Sequence, residues 1–287
     1  MRLCLAVLCS LSLSVCGPTL SSAANINDFI NFSDTSLPGR LYVPPQAATE
    51  PRPLIVFLHG AGESGSNNTA QVNGNIDNLL AAAKARGAYL YAPQTSVGWN
   101  SATVIDRVMS MVERASAEQN VDELRFYATG LSMGGGGTWN IINRHGDRFA
   151  AAAPICAVLP ATGYSAANLA EVPTWAFHAK NDSTVSYTTT RSVIANMLAT
   201  TGEAPPTYPS RATADFLFQS TTLDLRHTEY ASGGHGIWGK VYNTPALYDW
   251  MFAHALVPEP SAGTLILMTG LGLIGAGRRS GARRRLA

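Results

Sequence analysis

Short apolar runs alternate with longer stretches of helical spacing through the middle of this chain. Residues 53–58 form a continuous apolar run between a proline and a glycine, as expected of a strand buried on both faces. The same patterns predict strands at 39–43, 88–92, 124–128, near 155, at 174–178 and at 225–230, and helices at 76–86, 104–117, 138–144, 189–199 and 245–255. This alternation indicates an α/β fold with a mostly parallel central sheet and helices on both faces.

The alternating region spans residues 25–256 without an evident linker or repeat, which predicts one domain. Residues 202–219 interrupt the rhythm with three prolines and mixed polarity, and are expected to form a long loop or small excursion near the functional site. In a mostly parallel sheet that site lies beyond the carboxyl ends of the strands.

The first 24 residues are typical of a secretory signal peptide. Arg2 supplies the positive charge, residues 3–15 are apolar, and small residues at 22–24 form a cleavage site, so the mature chain is expected to begin near Asn25. A lipoprotein signal at Cys16 is a weaker alternative. Cys156 is then the last cysteine left, which excludes an internal disulfide, and its apolar surroundings predict a small core residue rather than a reactive thiol.

The last thirty or so residues, 257–287, have three parts. Pro-Glu-Pro is followed by an uncharged stretch at 262–277 and by arginines at 278, 279, 283, 284 and 285. The stretch is marginal for a transmembrane helix, which needs about 20 apolar residues. This order resembles the PEP-CTERM sorting signal of Gram-negative bacteria. The resemblance implies export, transient anchoring in the inner membrane, removal by an exosortase, and arrival at the cell surface, in the extracellular matrix or in the medium. An unprocessed single-pass anchor is the alternative.

Composition and charge bear on one class of partner, nucleic acids. The chain has 287 residues, of which 46% are hydrophobic and 14% charged, and its formal net charge is +1. Five of its twenty basic residues lie in the terminal arginine cluster, so the remainder is mildly acidic. Nothing in this balance favours a nucleic-acid partner.

A nucleophile motif follows the predicted strand at 124–128. Ser132 stands between Gly130 and Gly134 and so fits G-x-S-x-G, the sharp turn between a strand and a helix that exposes a reactive serine. The run at 138–144 is compatible with the helix that should follow. Strand, glycine-flanked serine and helix together predict a serine hydrolase.

A serine nucleophile needs a base and a group that orients the base. His235 lies between glycines after the last predicted strand and comes late in the chain, which suits the order Ser, Asp, His of this motif. Asp182 follows the strand predicted at 174–178 and is expected to be the orienting acid. Asp215 and Asp224 are alternatives with weaker sequence context.

The segment His59-Gly-Ala-Gly follows the buried strand at 53–58 and is predicted to form half of an oxyanion hole. Backbone N–H groups of Ala61 and Met133 would face the developing negative charge. His59 itself is expected to be structural. A metal site built from His59, His178 and Glu63 has no recognised ligand spacing, so neither a metal nor another cofactor is expected.

Two tryptophans are candidates for substrate binding. Trp99 and Trp238 lie in predicted loops on the active-site side, and Trp238 is close to His235 in sequence. Their rings could form an apolar wall for an acyl or aromatic group. Packing of the loop bases is the alternative for each.

Four segments, FLHGAGESG, GLSMGGGGTW, FHAKNDSTV and GGHGIW, resemble the α/β-hydrolase superfamily in order and spacing. The resemblance extends over residues 38–256 and is nearest to secreted esterases related to dienelactone hydrolases, polyhydroxybutyrate-depolymerase-like esterases and feruloyl esterases. It implies a carboxylic-ester hydrolase for small-molecule or polymer esters, with nucleophile Ser132, acid Asp182, base His235 and oxyanion amides at Ala61 and Met133. SMGGGGT also resembles cutinase-type polyesterases, although those usually carry disulfides.

Two other functions stay open. A peptidase or amidase would use the same triad, but peptidases of this fold usually add a large gating domain, for which residues 25–256 leave no room. A non-catalytic surface or matrix protein on a hydrolase scaffold is the second alternative, and the complete set of triad residues argues against it.

Overall fold

A mixed sheet lies at the centre of the computed structural model, which describes residues 25–210 and 213–257. Its strands within those ranges are β1 (Ile30–Asn31), β2 (Gly39–Tyr42), β3 (Arg52–Leu58), β4 (Tyr89–Pro93), β5 (Val121–Leu131), β6 (Ala151–Ile155), β7 (Thr174–Ala179), β8 (Phe216–Gln219) and β9 (Leu225–Tyr230). Their order is β1-β2-β4-β3-β5-β6-β7-β9-β8. The six strands from β4 to β9 in this order are parallel, while β1, β2 and β8 pair antiparallel at the two edges.

Helices cover both faces of the sheet. They are α1 (Asp77–Arg86), α2 (Ala102–Glu118), α3 (Met133–His145), α4 (Ala166–Ala170), α5 (Thr188–Ala199), α6 (Trp238–Tyr242) and α7 (Pro245–Phe252). Buried side chains of α2 to α5 share one apolar core, and those of α1, α6 and α7 share the other. The predicted α/β-hydrolase architecture is therefore confirmed.

Strand β3 explains the continuous apolar run. Leu54, Val56 and Leu58 belong to the core beneath α2 to α5, whereas Ile55 and Phe57 belong to the opposite core. Successive side chains of a strand point to opposite faces, so a strand covered on both sides needs an apolar residue at every position. The segments that carry the predicted site residues then follow β3, β5, β7 and β9 at their carboxyl ends.

The interpretation of residues 202–219 as a long loop is wrong at its end. Phe216–Gln219 forms β8, an antiparallel edge strand on β9. Only alternate residues of β8 are partly covered, and Leu217 is 70% exposed. An edge strand buried on one face carries a weak alternating pattern, which the preceding prolines obscured.

The two predicted targeting segments fall mainly on residues 1–24 and 258–287, which lie outside the described residues. The signal peptide, the short transmembrane helix and the sorting signal therefore remain predictions. Among the helices of residues 25–210 and 213–257, none is long and apolar enough to cross a membrane.

Candidate active site

Ser132 occupies a strained turn between β5 and α3. Its backbone has φ 56° and ψ −115°, an unfavourable combination for a residue with a side chain. The turn is held from both sides: Ser132 N–H donates to the Ile155 carbonyl (2.9 Å), and the Ser132 carbonyl accepts from Gly136 (3.1 Å) and Val158 (3.3 Å). The hydroxyl is thus presented at the carboxyl end of β5, as the motif predicts.

Gly134 is dictated by the close approach of α3 to β3. A Cβ atom at Gly134 would lie only 1.8 Å from the Leu58 carbonyl oxygen. Gly130 faces the same crossing from the strand side, where a Cβ would lie 2.4 Å from the Gly134 carbonyl oxygen. Both glycines of the motif are therefore required by sterics.

The structure brings the three predicted triad residues into one hydrogen-bonded row. His235 Nε2 lies 2.8 Å from Ser132 Oγ, and His235 Nδ1 lies 2.7 Å from Asp182 Oδ2. The other carboxylate oxygen, Asp182 Oδ1, accepts the backbone N–H groups of Thr184 (2.8 Å) and Val185 (2.9 Å). The protein itself consequently holds the Asp182 carboxylate in place.

The environment keeps Asp182 ionised. Burial raises the pKa of this carboxyl group, but the hydrogen bond from His235 and those from the Val185 and Thr184 backbone outweigh burial, so the pKa lies below its usual value. A carboxylate at this position accepts a hydrogen bond from His235 Nδ1, which therefore carries the proton of the neutral imidazole. Nε2 is then the free acceptor for the Ser132 hydroxyl.

Asp215 and Asp224, the alternative acids, form their contacts with residues other than His235. Asp215 accepts the Ala231 backbone N–H (2.9 Å) and pairs with Lys240 (3.2 Å). Asp224 pairs with His254 at 2.7 Å. Neither carboxylate is bonded to His235.

The two predicted oxyanion donors each begin a helix. Ala61 is the first residue of a 3₁₀ turn, Ala61–Glu63, and Met133 is the first residue of α3. The N–H groups of a first helical turn have no acceptor within the helix, so both amides are available to an external oxygen. Their role as an oxyanion hole stays a prediction.

A cleft of about 270 Å³ lies beside the nucleophile. It is lined by residues of the oxyanion loop, the elbow and the histidine loop: Gly60, Ala61, Gly62, Glu63, Asn75, Leu131, Ser132, Thr184, His235 and Trp238. Local sequence patterns did not assign Glu63, Asn75 or Thr184 to this cleft. Glu63 and Thr184 each had a signal, because each follows a predicted site residue by two positions, whereas Asn75 had none.

Comparisons with known proteins agree with this geometry. The sequence profile of the prolyl oligopeptidase family matches residues 94–255, a segment that contains Ser132, Asp182 and His235. The chain belongs to the prolyl oligopeptidase family. A bifunctional acetylxylan esterase/xylanase of Neocallimastix patriciarum is 27% identical over 176 residues, which make up 60% of this chain and 25% of that protein.

Several solved structures share the fold of this family member. The crystal structure of a thermostable esterase is similar with a TM-score of 0.66 at 29% identity, over 80% of this chain and 64% of that chain. An acetyl xylan esterase from Aspergillus awamori matches with a TM-score of 0.55 over 78% of this chain and 98% of that chain. At 14% identity the second likeness concerns the fold alone.

In this prolyl oligopeptidase family member, Trp99 does not reach the cleft, and its prediction as a substrate-binding residue is wrong. Its side chain is 1% exposed, and its Nε1 donates to the His59 carbonyl (2.9 Å). The ring also packs against α3, where Gly137 has no side chain to exclude it. Trp99 therefore packs the base of its loop.

His59 has the structural role expected of it. Its Nδ1 donates to the Gly60 carbonyl (2.7 Å), and its Nε2 accepts the Thr95 backbone N–H (3.1 Å). Burial lowers the pKa of His59, and the hydrogen bond to Gly60 opposes this only partly. A neutral imidazole with one donor and one acceptor fits both contacts.

Trp238 does line the cleft. Its ring meets that of His235 edge-on, with centroids 5.7 Å apart, and its Nε1 donates to Asn75 Oδ1 at 2.9 Å. Its predicted contact with substrate stays a prediction.

Cys156 lies behind the acid and is fully buried. Its sulfur, one nitrogen of His235 and one oxygen of Asp182 lie within 4.8 Å of one another. Burial, followed by the negative charge of Asp182, raises the pKa of the Cys156 thiol far above its usual value. A protonated thiol is a poor metal ligand and a poor nucleophile, so the residue is suited to packing.

Proposed function

We propose that this protein is an exported serine carboxylic-ester hydrolase. The observation that carries the proposal is the continuous row of contacts from Asp182 through His235 to Ser132, at 2.7 Å and 2.8 Å, at the edge of an accessible cleft. Such a row activates a serine hydroxyl, which is otherwise a weak nucleophile near neutral pH.

The reaction would proceed through an acyl-enzyme. Ser132 Oγ attacks the acyl carbon while His235 Nε2 takes its proton. The oxyanion of the tetrahedral intermediate accepts hydrogen bonds from the amides of Ala61 and Met133, each worth about 3 kcal/mol by analogy with other oxyanion holes. His235 then protonates the leaving alcohol, a water molecule enters with His235 as base, and the acid leaves with Ser132 restored.

Several observations favour an ester over an amide as substrate. An alcohol is a better leaving group than an amine, and a relative with 27% identity is named an acetylxylan esterase/xylanase. The similar structure at 29% identity is a thermostable esterase. The chain spans only 25% of the first protein and 64% of the second, so their activities support the proposal without transferring to the whole protein.

A serine peptidase or amidase is the second candidate. The match to the prolyl oligopeptidase family specifically favours it, because that family is named for peptide cleavage. A non-catalytic surface or matrix-associated protein is the remaining alternative. A complete triad would then have no purpose.

Export rests on the two ends of the sequence. Residues 1–24 have the charge, apolar stretch and small residues of a signal peptide, and 257–287 have the three parts of a sorting signal for an exosortase in a Gram-negative inner membrane. Fractionation of producing cells, with mass spectrometry of both termini, tests this part. A mature protein that retains residues 1–24 and the arginine tail would contradict it.

Ester turnover tests the catalytic part. We expect the purified protein to hydrolyse 4-nitrophenyl acetate and butyrate and to be labelled at Ser132 by a fluorophosphonate. Ser132→Ala should abolish both, whereas Ser110→Ala, at an exposed position of α2, should change neither. Turnover by Ser132→Ala would refute the mechanism. Faster cleavage of the matching anilides than of the esters would favour the peptidase.

A further inference from the structure

One carboxylate of the cleft takes no part in the triad. Glu63 ends the 3₁₀ turn Ala61–Glu63 and is 9% exposed. Its Oε1 accepts a short hydrogen bond from Asn75 Nδ2. Its Oε2 is buried and has no hydrogen-bond partner among residues 25–210 and 213–257. A buried acceptor that is left unpaired is costly, so such an atom in a cleft points to a ligand.

The free oxygen lies next to the predicted oxyanion loop. A Cβ atom placed on Gly60 would lie 3.2 Å from Glu63 Oε2, so this oxygen borders the loop that carries the proposed oxyanion donor. Glu63 also lines the same cleft as Ser132 and His235. A group that reaches Oε2 therefore belongs to a molecule bound at the nucleophile.

The contacts of Glu63 indicate which half of the ester it meets. Asn75, which donates to Glu63, accepts from Trp238 Nε1 (2.9 Å), and the Trp238 ring packs edge-on against His235. His235 gives its proton to the departing alcohol, so the groups packed around its ring border the alcohol half of the substrate. Glu63, Asn75 and Trp238 form one hydrogen-bonded row along that side.

We propose that Glu63 Oε2 accepts a hydrogen bond from a second hydroxyl of the alcohol, next to the ester oxygen, and so selects esters of polyhydroxy alcohols such as sugars. The inference rests on the proposed esterase function and names its substrate class. A charged acceptor binds a hydroxyl strongly, while the Trp238 ring offers an apolar surface to the C–H groups of the same alcohol.

A neutral hydroxyl suits this subsite better than an ammonium group. The exposed surface of the cleft is mainly apolar, and its lining includes Gly60, Leu131 and Trp238 beside the polar residues already named. Bringing a second charge into such an apolar cleft carries its own desolvation penalty, whereas a hydroxyl satisfies the oxygen without one.

Three acetates that differ at one position test the proposal. The purified protein is assayed on cyclohexyl acetate, trans-2-hydroxycyclohexyl acetate and trans-2-(dimethylamino)cyclohexyl acetate, and kcat/KM is compared within each variant. Glu63→Gln keeps an oxygen for Asn75 and replaces only the free acceptor by an amide donor. Glu171→Gln, at an exposed position, is the matched control.

We expect the wild type and Glu171→Gln to prefer the hydroxy ester over cyclohexyl acetate by about tenfold or more, as one charge-assisted hydrogen bond provides. Glu63→Gln should lose that preference while Ser132 still reacts with a fluorophosphonate. An unchanged preference in Glu63→Gln, a wild-type ratio near one, or a preference for the amino ester would overturn the proposal. Loss of hydrolysis of all three esters by the wild type would instead refute the esterase function. A wild-type ratio near one overturns the proposal whether or not Glu63→Gln folds.

Discussion

His178 Nε2 lies 3.2 Å from Asp182 Oδ2, the same oxygen that accepts the hydrogen bond from His235. The His178 ring is fully buried, with Nδ1 2.8 Å from Thr190 Oγ1 and Nε2 donating to the Val185 carbonyl (3.0 Å). Burial lowers the pKa of His178, although Val185 and Asp182 oppose it. A second, neutral imidazole thus directs its N–H dipole at the predicted acid.

Replacing His178 should weaken catalysis without destroying it. His178→Phe keeps a ring of similar shape but removes the N–H group facing Asp182, so we expect kcat for 4-nitrophenyl acetate to fall about tenfold, the equivalent of one hydrogen bond. His254→Phe is the control, because His254 pairs with Asp224 away from the cleft. Equal kcat values for the two variants would show that His178 does not position the acid.

Removing the charge of Asp182 should be far more damaging. In Asp182→Asn, the amide oxygen can still accept from Thr184 and Val185, which places the NH₂ group against His235 Nδ1. His235 would then carry its proton on Nε2 and could not accept one from Ser132. We expect kcat to fall about 10³- to 10⁴-fold with little change in KM. Steady-state kinetics measures this, and a loss below about tenfold would contradict the assignment.

The three residues of the hydrogen-bonded row could be predicted because each has a local signal. Ser132 has flanking glycines, His235 lies in a glycine-rich loop, and Asp182 follows a buried strand. Trp99 was misassigned, since its side chain turns towards a helix that has glycine at the point of contact. The residues next to Trp99 in the sequence cannot reveal in which direction its side chain points.

The polar row in the cleft could not be predicted from local patterns. Asn75 bonds to Glu63 across 12 positions of sequence and to Trp238 across 163. Only folding places these side chains together. The same limit applies to β8, whose one-sided burial at the sheet edge gives a weak pattern, while the doubly buried β3 was evident from its apolar run.

Gly134, the second glycine of the elbow, should tolerate no side chain. In Gly134→Ala, the new Cβ would lie 1.8 Å from the Leu58 carbonyl oxygen, and both atoms belong to the rigid crossing of α3 and β3. We expect the free energy of unfolding to fall by at least about 3 kcal/mol, or folding to fail. Urea denaturation followed by circular dichroism measures the change.

Gly239→Ala is the matched control for that variant. A Cβ at Gly239, within α6, would meet no atom within 4 Å, and the residue has ordinary helical torsions. Alanine restricts the unfolded chain more than glycine does, so stability should stay equal or rise by up to about 1 kcal/mol. Similar losses in both variants would contradict the steric argument.

A buried histidine makes stability depend on pH. His227 is fully buried in β9, with Nδ1 3.2 Å from the Tyr208 hydroxyl and no partner for Nε2 among the described residues. Burial, aided by the positive charge of Arg191, lowers the pKa of His227 from 6.5 to about 3. The folded protein therefore keeps this imidazole neutral at pH values where the unfolded chain protonates it.

Acidification from pH 6.5 towards pH 3 should consequently destabilise the protein. Over that range the unfolded state binds up to one proton more at His227 than the folded state, so the free energy of unfolding falls by up to about 1.4 kcal/mol per pH unit as pH decreases. His227→Leu removes the titratable imidazole. We therefore expect the free energy of unfolding of this variant to fall less steeply than that of the wild type as pH decreases, by about the same amount. Urea denaturation of both proteins at pH 7, 6 and 5 measures the two slopes. Parallel slopes would mean that His227 is protonated equally in both states, which its burial opposes.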